Sequence, residues 1–202
     1  MNLNSLFPKQ RKLDKYIEKE KGLEGQDLLH KKTVALICEL YECVNEARFF
    51  KFWSEDQRPN NGDKVVTCNY CDGKGELIYQ HTSKLRISTL CKKCVGKGEL
   101  HVENRLLEEY VDTIHFAISI ANDLGVHEHE YLPTRYQDLN LAVIGITNLA
   151  TIIVYSRKKD HIRSLLNNLI TLGYQLGFTE TDVKKAYDKK NAENYERQKV
   201  GY

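Results

Sequence analysis

Two Cys-x-x-Cys pairs, Cys68/Cys71 and Cys91/Cys94, constrain this chain more than any other feature. Residues 72–90 separate them, a spacing that suits one tetrahedral zinc site. Each pair continues as C-x-G-x-G, through Gly73 and Gly75 in the first and Gly96 and Gly98 in the second. Glycines there let the chain turn tightly enough for backbone N–H groups to point at thiolate sulfur. Four cysteines close the coordination shell, so Zn²⁺ held by Cys68, Cys71, Cys91 and Cys94 is expected to be structural, with no position open for a reacting water. Cys38 and Cys43 lie on an apolar helical pattern and read as plain thiols. The opening MNLNSLFPKQ lacks the apolar run of a signal peptide, and six cysteines without an export signal predict a cytoplasmic protein.

Around this segment the pattern is helical. Apolar residues recur at helical spacing over roughly 9–21, 27–53, 103–124, a stretch after Pro133, 160–176 and 179–199, where Thr179 and Asp182 form an N-capping pair. Residues 58–101 break that pattern and alternate as ELIYQHTSKLRIST, which predicts a β-hairpin. The expected organisation is therefore a discontinuous helical domain, 1–57 plus 102–202, interrupted by a zinc module at 58–101. The doubled C-x-x-C-x-G-x-G resembles half of the cysteine-rich zinc domain of the J-domain chaperones. Lys64, Lys74, Lys84, Arg86, Lys92, Lys93 and Lys97 face Asp63, Asp72, Glu76, Glu99 and the two net negative charges of a zinc tetrathiolate. The module is nearly neutral and nucleic acid is a weak expectation as its partner. Net charge over the chain is only +2, which singles out no polyanion. The apolar run Leu139–Ser156 carries Asn140, Thr147, Asn148 and Thr151, so it reads as a core or interface helix and not a membrane span.

The reactive chemistry lies outside the module. Glu39, Glu42 and Glu46 fall on one helical stripe bordering Leu36, Leu40 and Val44. The positions four residues on are Cys43, Glu46 and Phe50, none of them a compensating cation. After the module, Glu108, Glu109 and Asp112 sit one turn apart, followed by His115. Two helices presenting carboxylates to each other make an all-oxygen site for Mg²⁺ or Mn²⁺, suited to phosphoryl chemistry. Spacing alone leaves open the alternative of two acidic faces that never meet. Near the C-terminus Lys190, Asn194 and Arg197 share one face, as phosphate and base ligands or as a solvated basic helix.

Glu-x-x-Glu on one helix and Glu-x-x-Asp on the next resembles the all-α nucleoside triphosphate pyrophosphohydrolases, which include the dimeric dUTPases and the MazG-type enzymes. Three strings narrow the resemblance to the dimeric dUTPases: Glu39-Leu-x-Glu42-x-x-Asn45-Glu46-x-Arg48 with Phe49-Phe50-Lys51-Phe52-Trp53, then Glu109-Tyr-Val-Asp112-Thr-Ile-His115-Phe116, then Ala186-Tyr-x-x-Lys190-Asn191-x-x-Asn194-x-x-Arg197-Gln198. Residues 43–108 separate Glu42 from Glu109, longer than the family's link, and removing the zinc segment restores it. The resemblance implies an all-α helical bundle and a homodimer, with the Leu139–Tyr155 helix as its interface. It also implies hydrolysis of dUTP to dUMP and pyrophosphate, with magnesium on Glu39, Glu42, Glu109 and Asp112. Glu46 is a possible further acid, and Glu39 would handle the attacking water. Lys190 and Arg197 would steady phosphates, with Gln10, Lys51, Trp53, His115 and Asn194 completing the substrate site. The competing expectations are a related enzyme for dCTP or a broader set of triphosphates, and a non-catalytic zinc-dependent adaptor or nucleic-acid-binding protein.

Overall fold

The computed structural model describes residues 1–62, 64–80, 86–102 and 104–200. Six helices, α1 (Leu6–Glu20), α2 (Leu29–Ala47), α3 (Arg105–Asp123), α4 (Leu139–Ser156), α5 (Lys159–Gln175) and α6 (Glu180–Lys199), account for most of it. The chain divides into two compact units, Met1–Asn61 with Arg105–Tyr202, and Gly62–Asn104.

In the helical unit α3 is the central element, packed by α1, α2, α5 and α6. Its middle is buried almost all round, from Leu106 through Tyr110, Ile114 and Ile118 to Ala121. The surrounding helices are amphipathic instead: α2 buries Thr33, Leu36, Leu40, Val44 and Ala47 along one stripe. α2 is shorter than the periodicity predicts, because Arg48 turns left-handed (φ 64°) and its N–H closes on the Val44 carbonyl. Thr179 and Asp182 form the expected capping box at the start of α6. Of the two readings of α4, core or interface helix, a fully buried core helix does not hold. It is the one helix among the described residues long and apolar enough to cross a membrane, yet only 28% of it is buried. Ala142, Val143, Ile146, Ala150 and Ile153 face the core, while Leu141, Ile144, Ile152 and Tyr155 are exposed.

A buried polar seam ties α1, α3 and α6 together. The Gln10 side-chain carbonyl accepts from Tyr187 Oη and from His115 Nδ1, the latter at 2.8 Å, while its amide donates to Asp14 Oδ1 at 2.7 Å. The His115 ring stacks on Tyr187, centroids 3.8 Å apart and planes 6° from parallel. Burial, reinforced by the Lys190 charge, pushes the His115 pKa down to about 3, so the ring is neutral. Burial also raises the Asp14 carboxyl to about 6, against the pull of Lys32 and Gln10.

Among the described residues the second unit has no apolar core of its own beyond Leu77 and Leu100 packed on four buried cysteines. It consists of two antiparallel pairs, β1 (Lys64–Thr67) with β4 (Glu99–Val102) and β2 (Glu76–Gln80) with β3 (Arg86–Leu90). The turn of the predicted hairpin, 81–85 with Lys84, lies outside the described residues, as does Asp63. The two cysteine loops mirror each other: Gly75 N–H donates to Cys71 Sγ at 3.3 Å and Gly98 N–H to Cys94 Sγ at 3.2 Å. Sγ–Sγ distances of 3.9 Å (Cys68–Cys91) and 3.7 Å (Cys71–Cys94) match the roughly 3.8 Å edge of a tetrahedron with zinc–sulfur bonds of about 2.3 Å. Backbone N–H groups of Cys94 and Lys93 bring the Cys91 thiol down to about 7, while burial pushes its neighbour Cys71 up to about 11. The four cysteines therefore fit a zinc ion. Gly75 and Gly98 both have φ near +74°, and a Cβ on either would run into the carbonyl of Gly96 or Gly73.

Two outcomes follow from these packings. Gly98→Ala should weaken zinc retention against a chromophoric chelator while the helical circular dichroism is unchanged; wild-type retention would contradict the crossed-loop packing. For Asp14, the raised folded pKa means its contribution to stability is complete below about pH 4 and fades as pH rises through 6. Urea melts should show a decline on the order of 2 kcal/mol over that window, and Asp14→Asn should flatten it.

Candidate active site

α2 and α3 lie against each other, and their packed pair brings three carboxylates from either side of the module together. One oxygen each of Glu39, Glu109 and Asp112 lies within 4.8 Å of the others. Glu39 is half-buried and Glu109 is buried. Burial first, then the charges of Asp112, Glu42 and Glu109, push Glu39 up to about 7. Glu109 and Asp112 are also raised by burial, against the pull of Arg105 on one and Lys190 on the other. Glu42 is exposed and stands outside the triad, but it lines a cavity of about 540 Å³ with Cys38, Tyr41, Asn45, Glu46, Arg105 and Glu109. An all-carboxylate group of this kind fits a hard divalent cation and suits zinc poorly.

Two cations hold the carboxylates in place. Lys190 Nζ is 2.7 Å from Asp112 and 2.9 Å from Glu108. Arg105 donates to Glu109 at 2.7 Å and to Glu108 at 3.3 Å. Glu46 is engaged elsewhere: Asn60 Nδ2 donates to it at 2.7 Å, Asn60 N–H reaches its backbone carbonyl, and Leu106 N–H bonds the Asn60 carbonyl. Asn60 thus joins the end of α2 to the start of α3 within the helical unit.

The other expected substrate residues divide in two. Lys190 meets the carboxylates directly, and the charge of Arg197, on the same helix, acts on Asp112. His115 lies one turn beyond Asp112, and Gln10 joins it in the polar seam, with Gln10's carbonyl and amide already hydrogen-bonded within the protein. Asn194 is half-buried one turn past Lys190. Trp53 stands 65% exposed, edge-on to Phe50 and Phe52, and Lys51 Nζ lies 5.7 Å from the Phe50 ring centre. Neither Trp53 nor Lys51 lines the carboxylate cavity. Sequence reading passed over Arg105, Asn60, Asp14 and the partnership of Tyr187 with His115. Arg105, four residues ahead of Glu109, and Asp14, four residues after Gln10, left local traces; Asn60 and the Tyr187–His115 pair depend on contacts remote in sequence.

Comparison with curated proteins and with solved structures finds no match to the chain. A family model described as dUTPase matches residues 2–74 and 96–202, and the skipped stretch lies inside the cysteine module. With that match across nearly all of its six-helix unit, the chain belongs to the dUTPase family and is a nucleoside triphosphate pyrophosphohydrolase, a dUTP diphosphatase.

Proposed function

We propose that dUTP is cleaved to dUMP and pyrophosphate at the carboxylate site of α2 and α3, where Glu39, Glu42, Glu109 and Asp112 would hold magnesium. The observation that carries this reading is the convergence of Glu39, Glu109 and Asp112 from segments on opposite sides of the module. Bound there, magnesium would neutralise phosphate charge and hold the phosphate chain in line for attack. Glu39 orients a water toward the α-phosphorus and takes its proton. A bond forms between the water oxygen and the α-phosphorus, and the bond from that phosphorus to the bridging oxygen breaks, releasing pyrophosphate. Lys190 and Arg197 steady the phosphates from α6, and Asn194, His115 and Gln10 order the nucleoside end. Lys51 and Trp53 would reach substrate from the segment after α2. The helical unit is the catalytic domain, and zinc on the four cysteines is structural.

The exposed apolar residues of α4 support a homodimer formed through that helix, Leu141, Ile144, Ile152 and Tyr155 being covered by the partner. Thiol-rich composition supports a reducing, cytoplasmic setting.

Glu109→Gln should lower dUTP turnover at least about a hundredfold with the helical spectrum intact. Turnover near wild type would remove the site. Because Asn60 closes the chain within the helical unit, replacing 62–104 by a short glycine-serine linker should leave hydrolysis standing. A folded but inactive product would give the module a part in catalysis.

A further inference from the structure

Arg105 is the first residue of α3, and helix energetics do not favour it there. A cation at a helix N-terminus meets the positive end of the peptide dipole, and a basic residue four places ahead of Glu is the weaker order of that ion pair. Its guanidinium nevertheless spans Glu108 and Glu109, the second a buried member of the carboxylate triad. Among the described residues it is also the one cation lining the 540 Å³ cavity, beside Glu42, Glu46 and Glu109. Lys190 plays the matching part at Asp112, but its side chain is only 10% exposed, whereas that of Arg105 is 50% exposed and has room to turn.

We propose that Arg105 is a displaceable counter-ion of the hydrolytic site: it neutralises Glu109 while the metal is away and engages the phosphate chain of dUTP once Glu109 takes up the metal. The proposal rests on the carboxylate-site reading above. Charge balance supports the exchange. A divalent cation at Glu109 repels the guanidinium, and the incoming polyphosphate supplies new acceptors in the same cavity. The planar fork of Arg matches phosphate oxygens in a bidentate manner, and the move needs side-chain rotation only.

The test compares Arg105→Gln, Arg105→Lys and Glu109→Gln with the wild-type protein. Mn²⁺ binding without nucleotide, followed by electron paramagnetic resonance, should tighten about two- to fivefold in Arg105→Gln, since a competing ion pair is gone. The KM for dUTP should rise at least about tenfold in the same variant with kcat little changed, and Arg105→Lys should recover part of it. Unchanged or weaker Mn²⁺ binding overturns the proposal, and so does an unchanged KM. Glu109→Gln separates the two levels. If it binds Mn²⁺ like the wild type, the metal reading falls and the proposal with it; if it loses Mn²⁺ while Arg105→Gln behaves as wild type, the proposal alone falls.

Discussion

Glu39, Glu109 and Asp112 are packed against one another where α2 meets α3, and the rest of the helical unit is arranged around that crowding. Half-buried like charges repel and lose hydration, which is why Glu39, Glu109 and Asp112 all bind protons more tightly than ordinary carboxylates. The protein offsets this with Lys190, carried on α6, and Arg105, carried on α3. α6 is in turn fixed by its Thr179–Asp182 capping box and by Tyr187, stacked on His115 in the polar seam. A site that binds a divalent cation and a polyanion together gains from this arrangement. Its negative charges are already assembled, and Lys190 and Arg105 offset part of their repulsion.

The cysteine module obeys a different physics. So small a unit has little apolar surface to bury, and among the described residues its interior is four sulfurs with Leu77 and Leu100. Mirror-related loops, each with a backbone N–H aimed at sulfur, bring the four thiols within 4.8 Å of one another, close enough to share a zinc ion. The family match passes over 75–95, and Asn60 links α2 to α3 without help from the module. An insertion is tolerated at such a place because the helices on either side remain bonded to each other.

Much of this was legible from residue spacing. Helical periodicity marked all six helices, although α3, buried almost all round, carries no single stripe. The doubled C-x-x-C-x-G-x-G marked the metal module. The Glu-x-x-Glu and Glu-x-x-Asp strings marked the acidic helices, though spacing could not say that they meet. The end of α2 was misjudged because a left-handed Arg48 is not a pattern that apolar spacing records. For α4, spacing left core and interface helix both open, because hydropathy counts apolar residues and does not ask which face is covered.

Local chemistry, then, already specified a helical chain interrupted by a four-thiol module, because periodicity, capping and cysteine spacing act within a few turns of chain; the enzyme was implied by the resemblance of its acidic strings to the dimeric dUTPases. Tertiary packing alone decided which acids converge. It gave Asp112 to Lys190 across 78 positions of sequence, committed Gln10 to His115 and Tyr187, set Glu46 aside for Asn60, and left Trp53 at the surface. These are contacts between elements far apart in sequence, and their energies depend on burial and distance, which no single stretch of chain contains.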